Sequence, residues 1–131
     1  MEKLTGIKAI TICSSSKFYP AAKRLARELE EQGLHIYTPR FDYDEETVEV
    51  GKEDKMALTR EFLEKIRRSD AIYVIDESGY TGRSVCIEVG YASALGKKVI
   101  LSEPPVEGAI QALADAVAPI DGFPTLVAPQ V

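Results

Sequence analysis

"SDAIYVIDESGYTGRSVCIEVGYASALGKKVIL", residues 69–101, decides the fold. Its first part, Ala71 to Ile75, is a short apolar run, the pattern of a strand covered on both faces. Gly79, Tyr80, Thr81 and Gly82 then form a turn, and a helix with Glu88 in its first half follows. Gly96 ends that helix, and Lys98 to Leu101 make another short apolar strand. Two strands joined through a crossover helix pair in parallel, and such sheets are covered by helices on both faces.

The same alternation extends in both directions. Upstream, Ile7 to Cys13 is a β-branched run that ends at Ser14-Ser15-Ser16, and Ala21, Leu25, Leu29 and Leu34 then recur at near-helical spacing. Gly33 closes this helix, His35 to Thr38 form a second strand, and Pro39 opposes helical continuation. Met56, Leu58, Phe62, Leu63 and Ile66 predict a helix from about Lys52 to Arg68. Between them, the acidic segment Arg40 to Gly51 is a loop, either a substrate lid or a solvated connection. Downstream, Pro104-Pro105 interrupts the chain before a short helix around Ala109 to Ala116. An extended segment near Thr125 to Val127 is expected to close the sheet. The expectation is α/β: a doubly wound five-stranded parallel sheet, flavodoxin-like, with order 2-1-3-4-5.

Composition bounds the function. The 131 residues fit one domain, read as 1–131, since no repeat, low-complexity tract or Gly/Ser/Pro-rich linker divides them. No apolar run approaches the roughly 20 residues of a membrane span, and the N-terminus lacks a secretory signal pattern, so a cytoplasmic protein is expected. The net charge of −5, with cations scattered, argues against a polynucleotide partner. Cys13 and Cys86 lack metal-ligand spacing and His35 stands alone, so no metal is expected. Both cysteines are read as small buried hydrophobes in a reducing compartment.

Glu88 is the anomaly of the quoted stretch. At about 100° per residue it shares an arc with Ser84, Tyr91, Ala92 and Leu95, the stripe expected to pack inward. A carboxylate in the first turns of a helix also interacts favourably with the helix dipole, by only about 0.3–1 kcal/mol. Topology adds more. In a 2-1-3-4-5 sheet the crevice lies between the first and third strands, outside their carboxyl ends. There Ser14, Ser15, Ser16 and Lys17 would face the loop from Asp76 through Tyr80, Gly82 and Arg83 to Ser84. Two helix starts with hydroxyls, free N–H groups and small residues suit a phosphate or sugar beside the carboxylate.

The run Glu64 to Leu101, with the E-V-G-Y-A element at Glu88–Ala92 after the SDAIYVI strand, resembles the nucleoside 2-deoxyribosyltransferase superfamily. That superfamily includes deoxynucleoside 5′-monophosphate N-glycosidases. The segment ITICSSSKF, residues 10–18, is similar to its first strand and ligand loop. The resemblance implies a small-molecule nucleoside or nucleotide substrate, no cofactor, a homodimer, and Glu88 as nucleophile on the anomeric carbon. A nearby anion both stabilises and captures oxocarbenium character. Ser14, Ser15, Ser16 and Ser84, with Lys17, are then expected to hold sugar or phosphate, Gly82 and Arg83 to shape the loop, and Tyr37 or Tyr80 to stack on the base.

Three positions depart from that pattern. Phe62 and Gly82 stand where the superfamily often has aspartates, and Ile12 where some transferases have a tyrosine. These gaps favour hydrolysis over transfer to a second base and leave the leaving-group acid unassigned. Asp76, directly after its strand, either orients the substrate as a second catalytic carboxylate or caps the turn. Rival readings are a deoxyribosyltransferase, a TIR-like or phosphoribohydrolase-type enzyme, and a non-catalytic nucleotide sensor.

Overall fold

The strands are β1 (Ala9–Ser14), β2 (His35–Tyr37), β3 (Ala71–Ile75), β4 (Lys98–Leu101) and β5 (Ala116–Val117) in the computed structural model, which describes residues 3–129. They form one sheet, all parallel, in the order β2-β1-β3-β4-β5. β3 is buried at every position, which explains its uninterrupted apolar sequence. Its register with β1 runs from Ile10 opposite Ala71 to Ser14 opposite Ile75, so the two strands end together.

The helices are α1 (Tyr19–Glu31), α2 (Lys52–Arg67), α3 (Arg83–Ala94), α4 (Gly108–Leu113) and α5 (Phe123–Val127). The period-two alternation of the strands separates two cores. Ile10, Ile12, Ala71, Tyr73 and Ile75 pack with α1 and α5, whereas Cys13, Ile72, Val74, Val99 and Leu101 pack with α2, α3 and α4. Each fully buried aliphatic side chain stabilises the fold by about 1.5–3 kcal/mol, so the sheet is a rigid frame for the loops at its ends.

The fifth strand differs from the sequence expectation. Ala116–Val117 pair with Ile100–Leu101, while Thr125 to Val127 lie inside α5. Pro124 sits in the first turn of α5, where a missing N–H costs nothing. Phe123 stacks on Tyr73 with ring centroids 3.9 Å apart, and the Tyr73 hydroxyl donates to the Ala118 carbonyl at 2.6 Å. The apolar residues read as a strand thus serve as a helical cover over β3. At the N-terminal ends of the strands, Asp70 Oδ2 accepts from the backbone of Lys8 and Ala9, at 2.8 and 3.0 Å. Asp115 Oδ2 accepts from Val99 N at 2.8 Å. Both carboxylates are held by backbone amides.

Candidate active site

The opposite, C-terminal end of the sheet opens into a cavity of about 450 Å³, within the range usual for small-molecule sites. Four parts of the chain wall it. The end of β1 supplies Ser14, Ser15 and Ser16, and the first turn of α1 supplies Tyr19. The segment after β2 supplies Pro39, Arg40, Tyr43 and Glu45, so the acidic loop does wall the cavity. One stripe of α2, with Lys55, Leu58, Thr59, Phe62 and Lys65, forms a side. The last part comprises Tyr80, Gly82, Arg83, Ser84 and Glu88.

Glu88 reaches this cavity from the second turn of α3. Its Oε1 is sealed from solvent and has no hydrogen-bond partner. Burial pushes the carboxyl up from 4.5 to about 8, against the opposing pull of the Cys13 thiol and the Lys55 charge. Cys13, wholly buried on β1, is itself pushed up by burial and by Glu88, and stays a neutral thiol. Tyr19 is pushed up to about 12 by burial and by the charges of Glu88, Asp44 and Glu45, so its phenol keeps its proton. A sealed, unpartnered carboxylate oxygen is a cost to the fold, since an unsatisfied buried polar group forfeits about 1–3 kcal/mol. Asp76 Oδ2 and Gln32 Oε1 share that cost, and of the three residues only Glu88 lines the cavity.

Asp76 has a different setting. It is fully buried, is absent from the cavity wall, and accepts from Ser102 Oγ and Glu103 N, both at 2.9 Å. Its own N–H donates to Ser102 Oγ at 3.0 Å. Burial raises its carboxyl from the ordinary value, and the hydrogen bonds from Glu103 and Ser102 pull it back. Asp76 therefore ties the loop after β3 to the loop after β4. Gly79 tightens the same seam with φ at +78°, where an added Cβ would lie 2.7 Å from Pro104 O. Asp76 Oδ1 takes both bonds from Ser102 and Glu103, a turn-holding contact, and Oδ2 is left sealed without a partner.

The remaining expected residues divide. Ser14, Ser15, Ser16, Tyr80, Gly82, Arg83 and Ser84 are brought together on the cavity wall with Glu88. Ser14 Oγ donates to Ser15 O at 2.7 Å, and Ser15 Oγ accepts from Lys17 N at 3.4 Å, so both hydroxyls also shape their own turn. The start of α3 carries no side-chain cap, leaving its N–H groups for a ligand at Gly82–Ser84. Lys17 is off the wall and lies over the Tyr80 ring, 4.4 Å from its centroid, while Phe18 meets the same ring edge-on. Tyr37 is also off the wall, held in β2 opposite Thr11 and against the His35 ring. Tyr80 is the aromatic of the pair at the cavity. Leu95, placed on the inward stripe by spacing, caps α3 and is exposed.

Sequence reasoning missed Tyr19, Tyr43, Lys55 and Thr59. The α2 residues had a readable signal, because 55, 58, 59, 62 and 65 recur at helical spacing. That stripe was absorbed into the core pattern, yet only Phe62 and Ile66 of α2 are buried. Among the described residues, no group of three or more His, Cys, Asp or Glu side chains is arranged to hold a metal. No helix there is long and apolar enough to cross a membrane.

This fold, with its pocket at the carboxyl ends of β1 and β3, is the doubly wound arrangement in which open α/β sheets bind ligands. The chain is similar to the solved 2-deoxyribosyltransferase from Bacillus psychrosaccharolyticus, at 21% identity and a TM-score of 0.60, covering 94% of this chain and 99% of that one. It is similar to the Clostridium botulinum CMP N-glycosidase BcmB, at 18% identity and a TM-score of 0.54, covering 83% and 85%. A conserved protein from Enterococcus faecalis V583 superposes at a TM-score of 0.65 with 12% identity, over 92% and 97%. No protein-family model and no curated protein matches the sequence.

Proposed function

We propose that this chain is an enzyme that cleaves the N-glycosidic bond of a nucleoside, or deoxynucleoside, or its 5′-monophosphate. The observation that carries this reading is Glu88, a buried carboxyl with one oxygen unpartnered, on the wall of a nucleoside-sized cavity. The sequence resemblance supports it, as does a fold shared with a 2-deoxyribosyltransferase and a CMP N-glycosidase. Glu88 attacks the anomeric carbon, the base departs, and water resolves the glycosyl ester. The developing positive charge of the sugar favours the ionised form of Glu88 and offsets the burial that opposes it.

Ser16, Ser84 and the open start of α3 hold the sugar or its phosphate, and Tyr80 stacks on the base. Hydrolysis exceeds base transfer, because the positions of the absent aspartates hold Phe62 and Gly82 on the cavity wall. Neither side chain offers a proton or a hydrogen bond to hold an incoming base. The chain works as a homodimer, checked by light scattering of the purified protein.

The test is incubation with a panel of nucleosides and 5′-monophosphates, with free base followed by chromatography. Release of base at a rate removed by Glu88→Gln is expected. Nucleotide that binds but stays intact would support a sensor and contradict the enzyme reading. With a second free base present, exchanged nucleoside outpacing free sugar would overturn hydrolysis.

A further inference from the structure

The geometry points to Lys55 as the proton donor to the departing base, and to a pyrimidine with a carbonyl beside its glycosidic nitrogen as that base. This inference rests on the glycosidase reading and supplies the acid that reading lacks. Lys55 lies in the first half of α2 on the cavity wall, and its Nζ is held 2.6 Å from Oε1 of Glu45, also on that wall.

Of the other cations on the wall, Arg40 and Lys65 are committed elsewhere, and a guanidinium such as that of Arg83 is no proton donor. Arg40 forms a two-pronged pair with Asp42, at 3.0 and 2.7 Å. Lys65 donates to Thr38 O at 2.9 Å. Asp76 is off the cavity wall, and Tyr19 holds its proton too firmly to give it up. Lys55 is bound only through an ion pair, one that a ligand entering the cavity can exchange without breaking the backbone fold. It is also the cation whose charge bears on Glu88, so its ammonium and the nucleophile share one neighbourhood.

The step balances without further reactants. An oxygen of Glu88 bonds to C1′ as the C1′–N bond breaks. The bonding pair moves onto the ring nitrogen and its conjugated 2-carbonyl oxygen, which takes a proton from the Lys55 ammonium. The base leaves neutral, and the amine accepts a proton from the water that attacks C1′. The ester bond breaks with its pair returning to Glu88. Glu45 holds the ammonium in place between turnovers. A purine offers no carbonyl next to its glycosidic nitrogen, so the arrangement favours pyrimidines.

The test compares Lys55→Met with wild type on two substrates: a pyrimidine nucleoside, and 7-methylguanosine, whose base departs uncharged without a proton donor. General acid catalysis typically contributes about 10²–10⁴-fold, so the loss of kcat/KM on the pyrimidine should exceed that on 7-methylguanosine by at least about 100-fold. Any effect on Glu88 or on folding is common to both substrates and cancels in this ratio. Equal losses, or no loss, overturn the Lys55 assignment and leave the glycosidase intact. Wild-type cleavage of 7-methylguanosine alone overturns the pyrimidine assignment. Release of base from neither, by wild type, overturns the glycosidase reading and this inference with it.

Discussion

Asp76 and Glu88 stand at the same end of the sheet, both withdrawn from bulk water and both raised in pKa by burial. Their surroundings separate them. Asp76 Oδ1 accepts from a serine hydroxyl and a backbone amide, and the carboxylate is off the cavity wall. Each also keeps one sealed oxygen without a partner, Oδ2 of Asp76 and Oε1 of Glu88, but of the two only Glu88 stands on the cavity wall. One carboxylate joins two loops through its other oxygen, and the other lies against the cavity. Burial, a raised pKa and an unpartnered oxygen would have marked both as catalytic; the cavity decides between them.

The largest expected effect falls on Glu88. Glu88→Gln should lower turnover by at least about 10³-fold, because an amide is a poor nucleophile toward carbon. It should also stabilise the protein. Since Glu88 titrates near 8 when folded and near 4.5 when unfolded, the folded state alone keeps this proton between those values. Stability therefore falls as pH rises through that window, and glutamine removes the loss. Urea unfolding at pH 8.5 should show the variant more stable by about 2–4 kcal/mol, with the gain fading toward pH 4.

Asp76→Ala should reverse that pattern. Loss of its two accepted hydrogen bonds leaves Glu103 N and Ser102 Oγ without their partner, costing about 2–4 kcal/mol by denaturant midpoint. The folded fraction should retain kcat within about tenfold. A smaller loss of stability than of activity would erase the contrast between the two carboxylates.

A pH profile sharpens the contrast without mutation. Attack needs ionised Glu88, so kcat/KM should climb about tenfold per pH unit below about 8 and level off above it. A plateau beginning near pH 5 would show that the free enzyme does not hold this carboxyl protonated. The smallest effect is at Lys17→Met. Loss of the cation over Tyr80 removes about 0.5–1 kcal/mol of support, so KM should rise a few-fold with kcat steady.

Much of this architecture was legible because the strands are short apolar runs bounded by turn residues, as in Ala71–Ile75 with Asp76 and Gly79 beyond it. β5 was not, since two residues, Ala116 and Val117, are too few to show alternation. Glu88 and the serine and glycine loops were legible as a set, because the strand order brings the ends of β1 and β3 together. The setting of Asp76 was hidden, because its partners Ser102 and Glu103 arrive from the next loop of the fold. Tyr37 lies off the cavity wall, in a three-residue strand where no periodicity fixes direction. The cavity stripe of α2 was visible as spacing but indistinguishable from a core stripe, since both repeat every 3.6 residues.

The most direct test of the central claim, that Glu88 and not Asp76 bonds to the sugar, is peptide mass spectrometry after incubation with a 2-fluoro nucleoside analogue. Fluorine at C2′ slows hydrolysis of the glycosyl ester, so the intermediate accumulates. The account predicts release of free base and one fluoroglycosyl adduct, localised by fragmentation to Glu88. The adduct should persist in Asp76→Ala and vanish in Glu88→Gln. An adduct on Asp76, or on any residue but Glu88, would contradict it.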